Sequence, residues 1–353
     1  MRVRTPLNST LLRFRSNAIA AVTGMFNEKG FIQTHTPIIT SSDCEGAGEV
    51  FDIGSAHKGH KSEDDDGTFF RSPKYLTVSS QLHLEALAQS VGKVWTLSPT
   101  FRAEKSDTAR HLSEFYMLEA EISFTESMAD VMDVVKNTIQ AITFKMEPGV
   151  SRISQELGTT NEQEFEKRIM GTWGDFPTIT YTDAIRILQE STHQFVHEPK
   201  WGAGLQAEHE RYIATEVGAT AHKWRPVFVT HYPKSIKPFY MLPSTNCEKG
   251  RETVDCFDLL VPETCEIVGG SMREHRLEPL IKSMQEHKLI PSGPKPSGED
   301  LGTLNWYVDL RRWGSVPHGG FGLGFDRLLG YLAGVPNIRE VVTFPRWVGR
   351  CDC

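Results

Sequence analysis

The chain has little cysteine and no long apolar run. Its six cysteines in 353 residues form no paired C-x-x-C spacing, which excludes a disulfide-rich scaffold and disfavours a zinc knuckle. No stretch is long enough to span a bilayer, and the start, Met1 to Pro6, lacks the apolar core of a signal peptide. No G-x-G-x-x-G follows a predicted strand, which excludes a Rossmann site. The sequence therefore predicts a globular protein with free thiols and no membrane partner.

The chain also lacks an excess of basic residues. Lys and Arg number 38 against 45 Asp and Glu, which gives a net charge of −7. This balance argues against a uniformly basic nucleic-acid binder, but it is compatible with a local basic groove. Any contact with nucleic acid must therefore depend on a local cluster of cations.

Hydrophobic periodicity predicts a mixture of helices and strands. Apolar residues at helical spacing predict a helix over residues 9–29, with Ser9 as its cap, and an amphipathic helix over 128–144. Further helices are predicted over 81–89, 305–313 and 326–332, strands over 94–98 and 119–124, and a loop over 287–302. Strands joined by a hairpin and by local helices favour a mixed, mainly antiparallel sheet.

The most informative segment runs from Phe101 to Phe115. It is predicted to form a strand, a charged loop and a second strand, with Arg102 before the loop and Phe115 after it. A planar guanidinium suits a phosphate or carboxylate, and an aromatic face suits a purine ring. Near the C-terminus, the glycine-rich run from His318 to Arg327 places a second arginine at the start of a helix. The two segments together predict a nucleotide site.

These two segments resemble motifs 2 and 3 of the class II aminoacyl-tRNA synthetases. The run from Gly30 to Ile39 resembles motif 1, and the run from Tyr75 to Leu82 is similar to the segment that holds the amino acid. All of them occur in the family's order. Within the aspartyl/asparaginyl/lysyl subgroup, the asparaginyl branch is the most similar. The resemblance implies an α/β fold of the α+β type, with a mainly antiparallel sheet flanked by helices.

The resemblance also implies a domain organisation. Residues 9–353 would form the catalytic domain, with residues 1–8 as the end of a linker and an insertion at about 150–225. Members of the family normally carry an N-terminal OB-fold that binds the anticodon, and nothing in this chain matches it. Motif 1 implies a homodimer, because Pro37 there is flanked by apolar side chains that suit a two-fold interface. Those side chains are Phe31, Ile32, Ile38 and Ile39.

Members of this family activate an amino acid by attack of its carboxylate on the α-phosphorus of ATP, which releases pyrophosphate. No protein nucleophile is needed, so arginines, Mg²⁺ and carboxylates position the reactants and neutralise charge. The resemblance implies asparagine as the amino acid and tRNA(Asn) as the final acceptor. Arg102 would contact the α-phosphate and the substrate carboxylate, and Arg327 would hold the γ-phosphate.

The residues implied for the site fall into three groups. ATP would be bound by Arg102, Glu104, His111, Phe115, Gly322, Gly324 and Arg327. Mg²⁺ would be held by Asp258 and Glu266. The amino acid would be bound by Glu45, Ser79, Gln81, Glu119 and Arg273. Outside these motifs the same residue types would indicate only surface ion pairs, core aromatics and tight glycine packing.

The choice between asparagine and aspartate depends on a second group, because Arg273 can donate to either side chain. In aspartyl enzymes, the segment that matches Tyr75 to Leu82 has a Lys three residues after its Gln. In this chain the Gln is Gln81, and the position of the Lys is occupied by Leu84. An acid on the strand after motif 2 would accept from the amide NH₂ and repel aspartate. Glu119 or Glu121 could be that acid. Glu119 is expected to meet the substrate, and Glu121 to point away across the strand.

Several alternatives stay open at this stage. The chain could be an aspartyl-tRNA synthetase or a free-standing paralogue that makes asparagine, and Leu84 disfavours both. It could also be a non-catalytic binding relative, which the intact set of arginines and acids disfavours. The strand that follows motif 2, residues 115–121, and the Cys-Asp-Cys ending at 351–353 are more similar to bacterial or organellar members of the family than to eukaryotic cytosolic ones. The mitochondrial matrix is therefore expected, with the cytoplasm as the alternative.

Overall fold

The computed structural model describes residues 2–41, 50–54, 69–70, 72–146, 150–151, 162–245, 247–293 and 301–351. The helices within them are α1 (Pro6–Glu28), α2 (Gln81–Val91), α3 (Met128–Phe144), α4 (Glu162–Gly171), α5 (Tyr181–Glu190), α6 (Ala207–Ile213), α7 (Leu277–Glu286), α8 (Asn305–Arg312), α9 (Phe325–Ala333) and α10 (Ile338–Val341). The strands are β1 (Ile32–Gln33), β2 (Ile39–Thr40), β3 (Tyr75–Leu76), β4 (Lys93–Phe101), β5 (Glu114–Ser123), β6 (Thr178–Thr180), β7 (Val227–Thr230), β8 (Cys256–Val261), β9 (Cys265–Met272) and β10 (His318–Gly324). Among the described helices, none is both long and apolar enough to cross a bilayer.

Eight of these strands form one sheet in the order β1-β4-β5-β10-β9-β8-β7-β6. The neighbours are antiparallel except at the two edges, where β1 runs parallel to β4 and β6 runs parallel to β7. Strands β2 and β3 pair separately as a small antiparallel ribbon. The predicted fold, a mainly antiparallel sheet flanked by helices, is confirmed.

The central strand β5 shows how the sheet separates the core from the site. Leu118 and Ile122 are buried in the hydrophobic core on the side where α1 and α3 pack against each other. Glu119 and Glu121, which alternate with them, line a cavity on the other side. The apolar face therefore anchors the strand, and the polar face is available for chemistry.

The first helix begins earlier than predicted. The Thr5 side chain accepts a hydrogen bond from the Asn8 backbone N–H at 3.3 Å, which caps the helix, and Pro6 occupies the first turn. Proline is tolerated there because the first N–H groups of a helix have no partner inside the helix. Ser9 lies inside α1, so its predicted role as cap is wrong. Residues 6–8, predicted as part of the end of a linker, are helical.

The other predicted helices and strands are present, and all except the helix over 128–144 have shifted ends. The amphipathic helix predicted over 128–144 is confirmed at both ends as α3. Strands β4 and β5 both extend further toward their connecting loop than predicted, because the hairpin ladder continues to Phe101 and Glu114. Of the predicted loop at 287–302, residues 294–300 lie outside the described residues.

The segment predicted as an insertion contributes α4, α5, α6 and β6. Strand β6 extends the sheet at one edge, and α5 and α6 pack beside β7 and β8. Helix α6 also contacts β9 and brings Glu210 to the backbone of Glu266. This segment therefore borders the predicted metal site.

Candidate active site

A cavity of about 670 Å³ lies on the polar face of the sheet. It is lined by every described residue predicted to bind ATP, Mg²⁺ or the amino acid. These are Ser79, Gln81, Arg102, Glu104, His111, Phe115, Glu119, Asp258, Glu266, Arg273, Gly322, Gly324 and Arg327. Glu45, also predicted for the site, lies outside the described residues. Residues separated by more than 200 positions in the sequence thus meet in one cavity.

The hairpin between β4 and β5 forms one wall of the cavity. The Arg102 backbone N–H donates to the carbonyl oxygen of Ser113 at 3.0 Å, which closes the base of the loop. The Arg102 guanidinium lies 5.6 Å from the centre of the Phe115 ring and 3.8 Å from the Glu104 carboxylate. The predicted pairing of a cation and an aromatic ring on this hairpin is therefore present.

His111 lies on the return of the same loop. Its Nδ1 is 3.0 Å from the Ser106 hydroxyl and 2.6 Å from the Thr108 hydroxyl, and its Nε2 is 3.6 Å from Glu104. Burial lowers the pKa of His111, Glu104 opposes this effect, and nearby arginines including Arg327 add to it. The ring is therefore mostly neutral near pH 7 and acts there as a hydrogen-bonding group.

Arg327 also lines the cavity, from the first turn of α9. Its Nη1 donates to the carbonyl oxygen of Glu266 at 3.1 Å. Burial lowers the pKa of Arg327, Glu266 opposes this effect, and Arg110 and Arg102 add to it. Arg102, Arg110 and Arg327 therefore bring three guanidinium groups close together in one part of the cavity. Such a site favours a polyanionic ligand.

Asp258 and Glu266 come from neighbouring strands, β8 and β9, and converge over Gly269. A Cβ atom at Gly269 would lie 3.4 Å from Glu266 Oε1 and 3.5 Å from Asp258 Oδ1. Burial and then the Asp258 charge raise the pKa of Glu266, while Arg327 and Lys237 oppose them. Within the described residues, no group of three or more His, Cys, Asp or Glu side chains is arranged to hold a metal.

Three further charged residues border this pair of acids and were missed by sequence reasoning. Lys237 Nζ contacts both oxygens of Asp258 at 2.8 and 3.0 Å. The Glu210 carboxylate accepts a hydrogen bond from the Glu266 backbone N–H at 3.3 Å, and its Oε2 lies 3.7 Å from Arg110 Nη2. Burial, followed by the Glu266 charge, raises the pKa of Glu210 to about 7. No local pattern marks Lys237 or Glu210, because each reaches the site only through tertiary contacts.

Arg273 lies at the other end of the cavity and is almost fully buried. Its Nε and Nη2 donate to the Glu121 carboxylate at 3.3 and 3.2 Å, and its Nη1 donates to Ser271 Oγ at 2.6 Å. The expectation that Glu121 points away is wrong, because residues two apart in a strand lie on the same face. Glu121 is thus the acid that lies directly beside Arg273.

Gly320 on β10 makes room for this ion pair. It stands opposite Glu121 in the strand register, and a Cβ atom there would lie 1.9 Å from Glu121 Oε2. The predicted role of Gly322 and Gly324 was close approach of the nucleotide. A Cβ at Gly322 would lie 3.1 Å from the Met117 side chain, and one at Gly324 would make only ordinary contacts with Arg327. Gly320 was not predicted, although it has the strictest steric requirement of the three.

Glu119 is bound at the N-terminal end of α2. The Ser80 backbone N–H donates to both oxygens of the Glu119 carboxylate, at 2.9 and 3.1 Å, and the Ser79 hydroxyl donates to it as well. Leu84, one turn into the same helix, is buried and also lines the cavity. A hydrocarbon side chain therefore stands where the aspartyl pattern has a cation.

Comparisons with known proteins agree with this geometry. The family model described as "tRNA synthetases class II (D, K and N)" matches residues 1–348. The chain is 43% identical to the asparaginyl-tRNA synthetase of Mus musculus over 99% of this chain and 69% of that protein. It is 42% identical to the mitochondrial asparagine–tRNA ligase of Saccharomyces cerevisiae over 98% and 70%.

A solved structure shows the same fold. The asparaginyl-tRNA synthetase from Pyrococcus horikoshii complexed with asparaginyl-adenylate superposes with a TM-score of 0.80 at 33% identity. The match covers 99% of this chain and 70% of that one. Sequence and structure comparisons therefore point to the same group of proteins.

Proposed function

The chain belongs to the class II tRNA synthetases of the D, K and N group, and from this premise we propose that it is an asparaginyl-tRNA synthetase. It activates asparagine with ATP to asparaginyl-adenylate and pyrophosphate, and then transfers the asparaginyl group to the 3′ end of tRNA(Asn). The observation that carries the proposal is the buried pair of Arg273 and Glu121 beside Leu84, in the same cavity as Arg102 and Arg327. ATP–pyrophosphate exchange, measured with asparagine and with aspartate, tests this function.

The arginines supply most of the catalytic effect in this proposal. Arg102 holds the substrate carboxylate near the α-phosphate, with Phe115 under the adenine and Glu104 beside the base. Arg327, in the first turn of α9, binds the γ-phosphate. The nucleophile is the substrate carboxylate itself, so the chain contributes position and charge compensation rather than a covalent intermediate.

The far end of the cavity recognises the amide. Arg273 donates to the side-chain oxygen of asparagine, and Glu121, which is hydrogen-bonded to Arg273, accepts from the side-chain NH₂. Glu119, Ser79 and Gln81 are proposed to contact the α-amino end of the substrate. An aspartate side chain would place a third carboxylate beside Glu119 and Glu121, where Arg273 is already paired with Glu121, and this is unfavourable in a buried site.

Asp258 and Glu266 fit a Mg²⁺ ion. This ion is commonly bound through one or two carboxylates and completes its shell with waters and phosphate oxygens. The two acids converge over Gly269, and their mutual repulsion contributes to the raised pKa of Glu266, which a divalent cation would relieve. When bound, the ion supplies neutralisation of phosphate charge. Lys237 holds Asp258 in place.

We expect Glu266→Gln to raise the Mg²⁺ concentration needed for half-maximal exchange by roughly tenfold or more, as for other losses at metal sites. The amide keeps the side-chain volume but removes the charge that attracts the cation. Titration of Mg²⁺ against exchange activity measures the effect. Glu248→Gln, at an exposed position outside the cavity, is the matched control. An unchanged Mg²⁺ requirement would show that Glu266 does not bind the metal.

We propose a homodimer through motif 1. Ile32, Ile38 and Ile39 are 48%, 39% and 43% exposed, which leaves three large apolar side chains on one short segment. Phe31, predicted for the same interface, is instead buried against Phe26 within the subunit at a ring distance of 4.9 Å. Clustered exposed apolar residues are typical of an interaction surface.

Ile38→Asp is expected to convert the dimer into a monomer at micromolar concentration, because it places a charge in an apolar interface. Light scattering coupled to size exclusion measures the mass. Val196→Asp is the matched control, since Val196 is 86% exposed and lies in the insertion. A monomeric unaltered chain with full activity would contradict the dimer.

We also propose the mitochondrial matrix as the compartment, with the cytoplasm as the alternative. The similarity to the mitochondrial asparagine–tRNA ligase of yeast supports the mitochondrial matrix.

A further inference from the structure

Helix α2 carries a fully buried carboxylate just behind the amino-acid end of the cavity. Glu85 Oε2 accepts hydrogen bonds from Tyr307 Oη at 2.7 Å and Arg311 Nη2 at 2.7 Å, and it lies 3.1 Å from His318 Nε2. Its other oxygen, Oε1, accepts from Gln81 Nε2 at 3.1 Å. The carboxylate thus connects α2, α8 and β10 to one residue of the cavity wall.

The charge state of Glu85 follows from these neighbours. Burial alone would raise its pKa, but Arg311, His318 and Arg273 outweigh burial and lower it well below the usual range. Glu85 is therefore ionised and can only accept hydrogen bonds. Gln81 lies four residues earlier on the same helix face, so the acceptor at position 85 determines which end of the Gln81 amide faces it.

The amide of Gln81 can present either its nitrogen or its oxygen to a neighbour. Because the Glu85 carboxylate only accepts, the Gln81 NH₂ must face it. The carbonyl oxygen of the same amide then faces the other way, and Gln81 lines the cavity. An oriented carbonyl oxygen is a suitable acceptor for an ammonium group and an unsuitable one for a carboxylate.

We propose that Glu85 is a positioning residue that fixes the amide orientation of Gln81, so that the Gln81 carbonyl oxygen binds the α-ammonium group of the amino-acid substrate. This inference rests on the proposed function, since it needs an amino acid in this part of the cavity. Glu85 does not touch the substrate. It acts through Gln81, and the surrounding donors keep its carboxylate in one orientation.

A purely structural role is the competing explanation, because buried ion pairs are costly to break whatever their function. The two roles differ in which substrate they affect. Loss of packing or charge balance would lower stability and impair ATP and asparagine binding together. Loss of the Gln81 orientation would weaken the binding of asparagine alone, because ATP lies at the other end of the cavity.

The test variant is Glu85→Gln, whose own amide has a determined orientation. Tyr307 and Arg311 donate to one side of residue 85, so the new carbonyl oxygen takes that side and the new NH₂ faces Gln81. Gln81 must then turn its own carbonyl oxygen inward and present its NH₂ to the cavity. We expect the KM for asparagine in pyrophosphate exchange to rise roughly tenfold or more, as for loss of a hydrogen bond to a charged group, with the KM for ATP unchanged.

The exchanged double variant Gln81→Glu with Glu85→Gln supplies the rescue. Glu at position 81 can accept from the new NH₂ with one oxygen and from the ammonium with the other, and the total charge is preserved. We expect this variant to regain most of the asparagine affinity. If the single variant does not fold, the double variant alone tests the proposal. Thermal melting measures whether each variant is folded.

The outcomes separate the possible failures. Equal changes in both KM values, or a folded double variant without recovery for asparagine, would overturn the role of Glu85. An unaltered chain without any asparagine-dependent exchange would overturn the proposed function and this inference with it. A selective rise that the double variant reverses would support both.

Discussion

Arg102→Ala is expected to lower the rate of asparagine-dependent ATP–pyrophosphate exchange by on the order of 10²-fold or more, and Arg327→Ala by a similar factor. Each change removes a charge-assisted contact to phosphate that strengthens as charge redistributes in the transition state. Arg102 lies on the hairpin beside Phe115, and Arg327 is held on α9 by the Glu266 carbonyl oxygen, so neither side chain can take the position of the other. Circular dichroism is expected to show an intact fold in both variants.

Arg186→Ala is the matched control for these two arginines. Arg186 lies on α5, its side chain is 63% exposed, and it pairs only locally with Asp183 in the contacts described for it. The change should leave exchange near the unaltered rate, because a surface ion pair contributes little. Near-normal exchange in Arg102→Ala or Arg327→Ala would show that the arginine concerned is not catalytic.

Sequence alone predicted those parts of the fold that local signals specify. Helix α3 was predicted correctly because its apolar period is regular and Ser127 caps it, accepting the Ala129 N–H. The start of α1 was missed because Pro6 was interpreted as linker, although proline suits a first helical turn. The family and the fold were recognised because the motifs keep their order over most of the chain, and the comparisons confirm both.

The missed parts of the site depend on contacts between distant residues. Glu210 reaches Glu266 across 56 positions, and Glu85 reaches Arg311 across 226. No window of sequence contains such pairs, and a single acid in an amphipathic helix is ordinarily solvated. The error over Glu121 had another cause, since strand alternation already places it on the face of Glu119. Only the tertiary structure could reveal that Glu121 pairs with Arg273.

The amino acid that the chain activates is expected to be asparagine, with a kcat/KM on the order of 10⁴-fold above that for aspartate. The preference follows from charge in a buried pocket. Arg273 is already hydrogen-bonded to Glu121, and Leu84 offers no second cation for another carboxylate. A neutral amide satisfies both the donor and the acceptor, whereas a carboxylate leaves negative charge uncompensated. Pyrophosphate exchange with each amino acid, at saturating ATP and Mg²⁺, measures the ratio.

Leu84→Lys should narrow that ratio by roughly 10- to 100-fold, because the new ammonium group can compensate an aspartate carboxylate. Leu84→Met, which keeps the volume and the apolar character, is the matched control and should leave the ratio near its original value. Preference of the unaltered chain for aspartate, or formation of asparagine from aspartate and ammonia, would contradict the asparaginyl assignment. An unchanged ratio in Leu84→Lys would place the discrimination elsewhere, with Glu121→Gln as the next variant to compare, since it removes the acid that repels aspartate.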